Sequence, residues 1–124
     1  MKYKRIMIID DSVTSRMIIK KCFMIAGYRE ADFIEAENGL HALTILEESS
    51  VDLIVTDLNM PKMDGNSLVK KLNAREESRQ IPVLVITSLG NEVTQNDLMK
   101  QGVIAVIKKP LCPESLSHIL GGDT

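Results

Sequence analysis

VDLIVTDLNMPKMDG (residues 51–65) begins as an apolar, β-branched run and stops on an acid, Asp57. Asn59, Pro61, Asp64 and Gly65 follow at once. A short continuous run of Val, Leu and Ile fits a strand covered on both faces, and Asn, Pro, Asp and Gly are the residues of a turn. A carboxylate delivered to a buried strand end is costly unless a partner meets it. The stretch therefore implies a parallel sheet with something polar waiting at the carboxyl end of this strand.

The rest of the chain repeats the pattern. RIMII (5–9), LIVT (53–56), VLVIT (83–87) and VIAVI (103–107) read as buried strands, while the more polar DFIEA (32–36) suits a sheet edge. Between them the spacing predicts helices over 12–26, 39–48, 66–73 and 92–101, with a short last one starting at Pro113. Asn38 is placed to cap the second helix; Gly27 and Gly102 are placed to end the first and fourth. Leu40, Leu43 and Leu46 lie at helical spacing in the second helix, and Leu68, Val69 and Leu72 point inward from the third. In the first helix a wheel places Ile18, Cys22, Ile25 and Ala26 inward, with Ile19 and Phe23 on the flank and Met17 and Met24 facing solvent. Five such β–α units imply a doubly wound α/β domain with right-handed crossovers.

Composition bounds the function. At 124 residues and 13.8 kDa one domain is expected, spanning 1–124 with a core over 4–120 and a flexible tail at 121–124. Fifteen basic side chains against 17 acidic ones give a net charge of −2, so no basic field recommends nucleic acid or an anionic membrane. No apolar stretch approaches a membrane span, and the apolar run after Arg5 is cut off by Asp10 and Asp11 before it could serve as a signal sequence. Cys22 and Cys112 lack metal-ligand spacing and suit a reducing cytosol, so a cytoplasmic protein is expected. Both cysteines read as packing residues, and His41 and His118 as surface residues without a partner pattern.

In an open parallel sheet the functional crevice lies at the carboxyl ends of the strands. Here those ends carry Asp10 and Asp11, Asp57, Thr87 and Ser88, and Lys108-Lys109-Pro110. Singly, each has an ordinary explanation: a helix cap for Asp11 or Ser12, a β-branched strand residue for Thr87, a solvated lysine for Lys109. Jointly, at four strand ends of one sheet, they read as a site. Three carboxylates brought together raise one another's pKa unless a cation joins them. Hard oxygen ligands without nearby His or Cys point to Mg²⁺.

IIDDS, VTDLNMPKMDG, VITS and KKP, in this order and spacing, closely resemble the motifs of response regulator receiver domains, the CheY-like family of two-component signalling. The resemblance runs from Arg5 to Pro110 and implies a flavodoxin-like sheet in the order 2-1-3-4-5 with five helices. It implies that Asp57 takes a phosphoryl group from a sensor histidine kinase or histidine-phosphotransfer protein. Asp11, Asp57 and the Asn59 main-chain carbonyl would bind Mg²⁺ directly, and Asp10 mostly through water. Thr87 and Lys109 would grip phosphoryl oxygens, Pro61 and Gly65 would shape the turn that aims Asn59, and Ser88 is small enough to leave the site open. The Lys109–Pro110 bond is expected to be cis, as in the family. The chain would then be a signalling switch rather than a turnover enzyme, acting through contact with a downstream protein.

Departures and rivals bear on this reading. Val106 stands where the family usually has Tyr or Phe, which removes the usual route of coupling to the last strand. The fourth helix, with Thr94, Asn96 and Asp97, is expected to be weak, and the fifth has only about two turns. Leu89 is expected to shield the acyl phosphate from water, and Met17 to edge the docking surface for the phosphotransfer partner. An adaptor working without phosphorylation gains weight from Val106 but not from the complete acidic set. A phosphatase of the haloacid-dehalogenase type would want Asp-x-Asp after the first strand, where this chain has Asp10-Asp11.

Overall fold

The structure, a computed structural model, describes residues 2–88 and 92–120. Five parallel strands, β1 (Arg5–Ile9), β2 (Asp32–Ala36), β3 (Leu53–Asp57), β4 (Val83–Thr87) and β5 (Ala105–Lys108), form one sheet in the order β2-β1-β3-β4-β5. They alternate with α1 (Val13–Ile25), α2 (Gly39–Glu48), α3 (Gly65–Ala74), α4 (Glu92–Lys100) and α5 (Pro113–Ile119). The apolar runs are continuous because the sheet has two cores. Met7, Ile9, Ile54 and Val85 pack on one face with Leu43, Leu68, Leu72 and Leu98 of α2, α3 and α4. Ile6, Ile8, Leu53, Val55, Leu84 and Ile86 pack on the other with Ile19, Phe23 and Leu116 of α1 and α5. Alternate side chains point to opposite faces, so a strand buried on both sides must be apolar at every position.

Local signals set most boundaries. Asn38 caps α2 through the His41 N–H, Asp64 caps α3 through that of Ser67, and Ser12 caps α1 through that of Ser15. Gly27 and Gly102 take positive φ after α1 and α4, as their placement predicts. Leu68, Val69 and Leu72 are buried as expected. In α2, Ala42 and Leu43 are the buried positions and Leu40 is half exposed.

Two expectations are corrected. The buried stripe of α1 is Ile19, Cys22 and Phe23, while Ile18 and Ile25 are 51% and 60% exposed. Phe23 sets this rotation: its ring packs edge-on to Tyr28 and Phe33, burying the largest side chain of the helix. The last strand begins two residues later than its apolar run, at Ala105 rather than Val103. It is the second sheet edge and only half buried, so its run is a weaker guide. Val106, partly buried, packs on the α2–α3–α4 side. Helix α4 buries only Leu98, in keeping with its weak composition. Leu89 and the 121–124 tail lie outside the described residues. Among the described residues no helix is long and apolar enough to cross a membrane.

Candidate functional site

The sheet register stacks the polar strand ends. Ile9 pairs with Thr56, so Asp10 and Asp57 leave neighbouring strands at the same level. Asp57 pairs with Ile86 and Thr87 with Lys108, which brings Thr87 and Lys109 to the same edge. The Lys109 N–H donates to the Thr87 carbonyl at 2.8 Å. Carboxylate oxygens of Asp10, Asp11 and Asp57 lie within 4.8 Å of one another. Asp10, Asp57 and Thr87 are buried, Asp11, Asn59, Ser88 and Pro110 are exposed, and the Lys109–Pro110 bond is cis.

The two buried acids are treated differently. Asp10 is fully engaged: Oδ1 accepts from the Ser12 N–H at 2.9 Å, and Oδ2 from the Ser15 hydroxyl at 2.5 Å and from Lys109 Nζ at 3.1 Å. Among the described residues Asp57 has long contacts, 3.4 Å from the Asn59 N–H to Oδ1 and 3.5 Å from Lys109 Nζ to Oδ2. Burial pushes the Asp57 carboxyl above its ordinary pKa; Lys109 opposes this, Asp10 adds to it, and the Asn59 N–H opposes it. For Lys109 burial works against the charged form, but the hydrogen bond and charge of Asp10, helped by Asp57, leave its pKa raised. The ammonium is therefore firmly charged.

Gly65 and the turn position β3's acid. The Gly65 N–H donates to the Leu58 carbonyl at 2.8 Å, closing the loop onto the strand end, and Lys62 takes φ +67° in the turn. Arg16 ties α1 to the sheet: Nη1 donates to the Asp10 carbonyl at 2.6 Å and Nε pairs with Glu35 at 2.8 Å. Ser15, which also receives Lys109 Nζ at 3.1 Å, is the site residue that sequence reasoning missed. Its only signal was position, in the first turn of a helix capped by Ser12 and five residues after Asp10. A pocket of about 430 Å³ is lined by Ile18, Ile19, Ile86, Pro110 and Leu111 together with the polar Ser12, Thr14, Ser15 and Lys109. Met17 is 65% exposed on α1.

The donor set suits a hard divalent cation. It is made of carboxylate oxygens without His or Cys, and the long contacts of Asp57 leave its lone pairs available. A doubly wound sheet of this order, with three acids and a lysine at its carboxyl edge, defines the receiver class. The family profile described as response regulator receiver domain matches residues 6–120. Chemotaxis protein CheY1 of Helicobacter pylori is 37% identical over 117 residues, which are 94% of this chain and 93% of that one. The crystal structure of chemotaxis response regulator CheY4 of Vibrio cholerae superposes with a TM-score of 0.80 at 25% identity, covering 94% of each chain. The receiver domain of a sensor histidine kinase from Pseudomonas aeruginosa, whose structure has a magnesium ion coordinated in the active site cleft, superposes with a TM-score of 0.79. At 21% identity, over 94% of this chain and 93% of that one, it shows the common fold. The chain belongs to the response regulator receiver domain family, and is a receiver of CheY type in two-component signalling.

Proposed function

We propose that this chain is a cytoplasmic phosphoacceptor switch in which Asp57 takes a phosphoryl group from a phosphohistidine of a sensor kinase or phosphotransfer protein. The observation that carries it is the state of Asp57: buried at a strand end beside a charged lysine, yet held only by long contacts. A carboxylate oxygen of Asp57 attacks phosphorus, the bond from phosphorus to the imidazole nitrogen breaks, and the ring leaves with that electron pair. Asp10, Asp11, Asp57 and the Asn59 main-chain carbonyl are the groups that would hold Mg²⁺. The bound ion would supply positive charge for the transferring phosphoryl oxygens. Lys109 and the Thr87 hydroxyl, at the same edge, then bind oxygens of the acyl phosphate. Residues 1–124 act as one receiver unit whose output is contact with another protein.

Intact mass after incubation with acetyl phosphate and Mg²⁺ tests this reading. The expected result is a gain of one phosphoryl group, lost when EDTA replaces the metal. No gain with metal present overturns it.

The partner's helix is proposed to dock beside the crevice, on Met17 and the neighbouring apolar pocket. Val13, Met17 and Ile18 are all more than half exposed at the start of α1, an adaptable apolar surface suited to a helical partner. Met17→Glu is expected to slow transfer from the phosphotransfer partner at least about tenfold, as expected when an interface contact is lost, while sparing labelling by acetyl phosphate. Equal loss with both donors would show damage to the site, and no loss with either would remove Met17 from the interface.

A further inference from the structure

The hydroxyl of Ser15 lies between the two charges that matter most to this crevice. It donates its proton to Asp10 Oδ2 at 2.5 Å, and its oxygen accepts from Lys109 Nζ at 3.1 Å. Lys109 Nζ stands a further 3.1 Å from the same Asp10 oxygen but 3.5 Å from Asp57. A hydroxyl has one proton to give and lone pairs to receive with, so donation to the carboxylate leaves its oxygen facing the ammonium. Ser15, Asp10 and Lys109 thus close a triangle, from which Lys109 also reaches Asp57 at the longer distance of 3.5 Å.

The geometry points to Ser15 as a positioning residue that parks Lys109 on Asp10, so that the lysine must leave this hydroxyl before it binds a phosphoryl oxygen on Asp57. The inference rests on the phosphoacceptor reading above and adds a resting latch to it. The hydroxyl is well placed to hold. The Ser15 N–H donates to the capping Ser12 hydroxyl at 3.2 Å. Next to it, Arg16 clamps α1 to the Asp10 carbonyl and to Glu35. Releasing Lys109 forfeits its bond to Ser15, while Asp10 keeps its Ser12 N–H partner. A hydrogen bond that exists only in the resting state biases the equilibrium against the anion-bound state by its own net worth.

Beryllofluoride, an anion that mimics an acyl phosphate, is the probe. Titrated calorimetrically into the full chain with saturating Mg²⁺, it should bind Ser15→Ala about two- to tenfold more tightly than wild type, the factor that one net hydrogen bond supplies. Ser15→Thr, which keeps the hydroxyl, should restore wild-type affinity. Structural damage would weaken binding, so a gain separates the latch from a packing role. Unchanged or weaker beryllofluoride binding by Ser15→Ala, or a threonine variant that behaves like alanine, overturns the latch alone. A wild-type protein that binds no beryllofluoride overturns the phosphoacceptor reading and the latch with it.

Discussion

Asp57→Asn is expected to abolish labelling by acetyl phosphate while making the metal-free protein more stable at neutral pH. The first effect follows from the chemistry, because an amide offers no anionic oxygen to phosphorus. The second follows from where the acid sits. Burial raises the Asp57 pKa above its ordinary 3.8 and outweighs the lowering by Lys109, while the charge of Asp10 adds a smaller rise and the Asn59 N–H a smaller opposing pull. A carboxyl whose pKa is raised by folding contributes stability below its unfolded pKa, and that contribution is lost as pH rises through the folded pKa. At pH 7 the ionised group is therefore a net cost, and the neutral amide relieves it. Thermal melts in EDTA at pH 7 should show a higher Tm for the variant. The gain should shrink as pH falls through the raised pKa of wild-type Asp57, where the carboxyl gains its proton. A lower Tm for the variant would make the contact with Lys109 the dominant influence on Asp57. Labelling of the variant at another residue would remove Asp57 from its proposed role.

Gly65→Ala should cost about 2–3 kcal/mol of stability and lower the labelling rate as well. A Cβ at Gly65 would stand 2.7 Å from the Asp57 carbonyl oxygen and 2.9 Å from Leu58 Cα, both backbone atoms. Neither can swing aside, so the end of β3 must move, and Asp57 moves with it. Gly39 provides the control. A Cβ there meets side-chain rather than backbone atoms, Met63 Sδ at 2.9 Å, Cγ at 3.0 Å and Cβ at 3.1 Å. Gly39→Ala should therefore cost less than Gly65→Ala, because a side chain can repack where backbone cannot. Urea denaturation of the two variants measures the contrast, and equal losses would show that backbone contact at Gly65 is not the cause.

Much of this architecture was legible from the chain. Continuous Ile and Val runs gave four strands because residues such as Met7 and Ile8 face two different cores. Asn38 and the two positive-φ glycines marked helix ends through purely local chemistry. The orientation of α1 was not legible. Nearly every apolar position of that helix could belong to a plausible stripe, and the choice was made by Tyr28 and Phe33, outside it. The β5 boundary was misplaced because an edge strand is only half covered. At the site, motif spacing brought Asp10, Asp11, Asp57, Thr87 and Lys109 to one edge. It did not reveal that Lys109 lies nearer Asp10 than Asp57, nor that Ser15 joins them. Those facts depend on how the first turn of α1 leans over β1, a tertiary relation with no periodic signature.

The uneven match of charges in the crevice has a kinetic consequence. Three carboxylates face one ammonium, and that ammonium is already engaged by Asp10. The crevice mouth, where Asp11 is exposed, thus presents a surplus of negative charge to an incoming phosphoryl donor, itself an anion. Like charges slow encounter. On the phosphoacceptor reading proposed above, a cation would therefore enter first, and the neutralised crevice would then admit the donor. Order of arrival, rather than affinity for the donor alone, would then govern how quickly such a receiver responds.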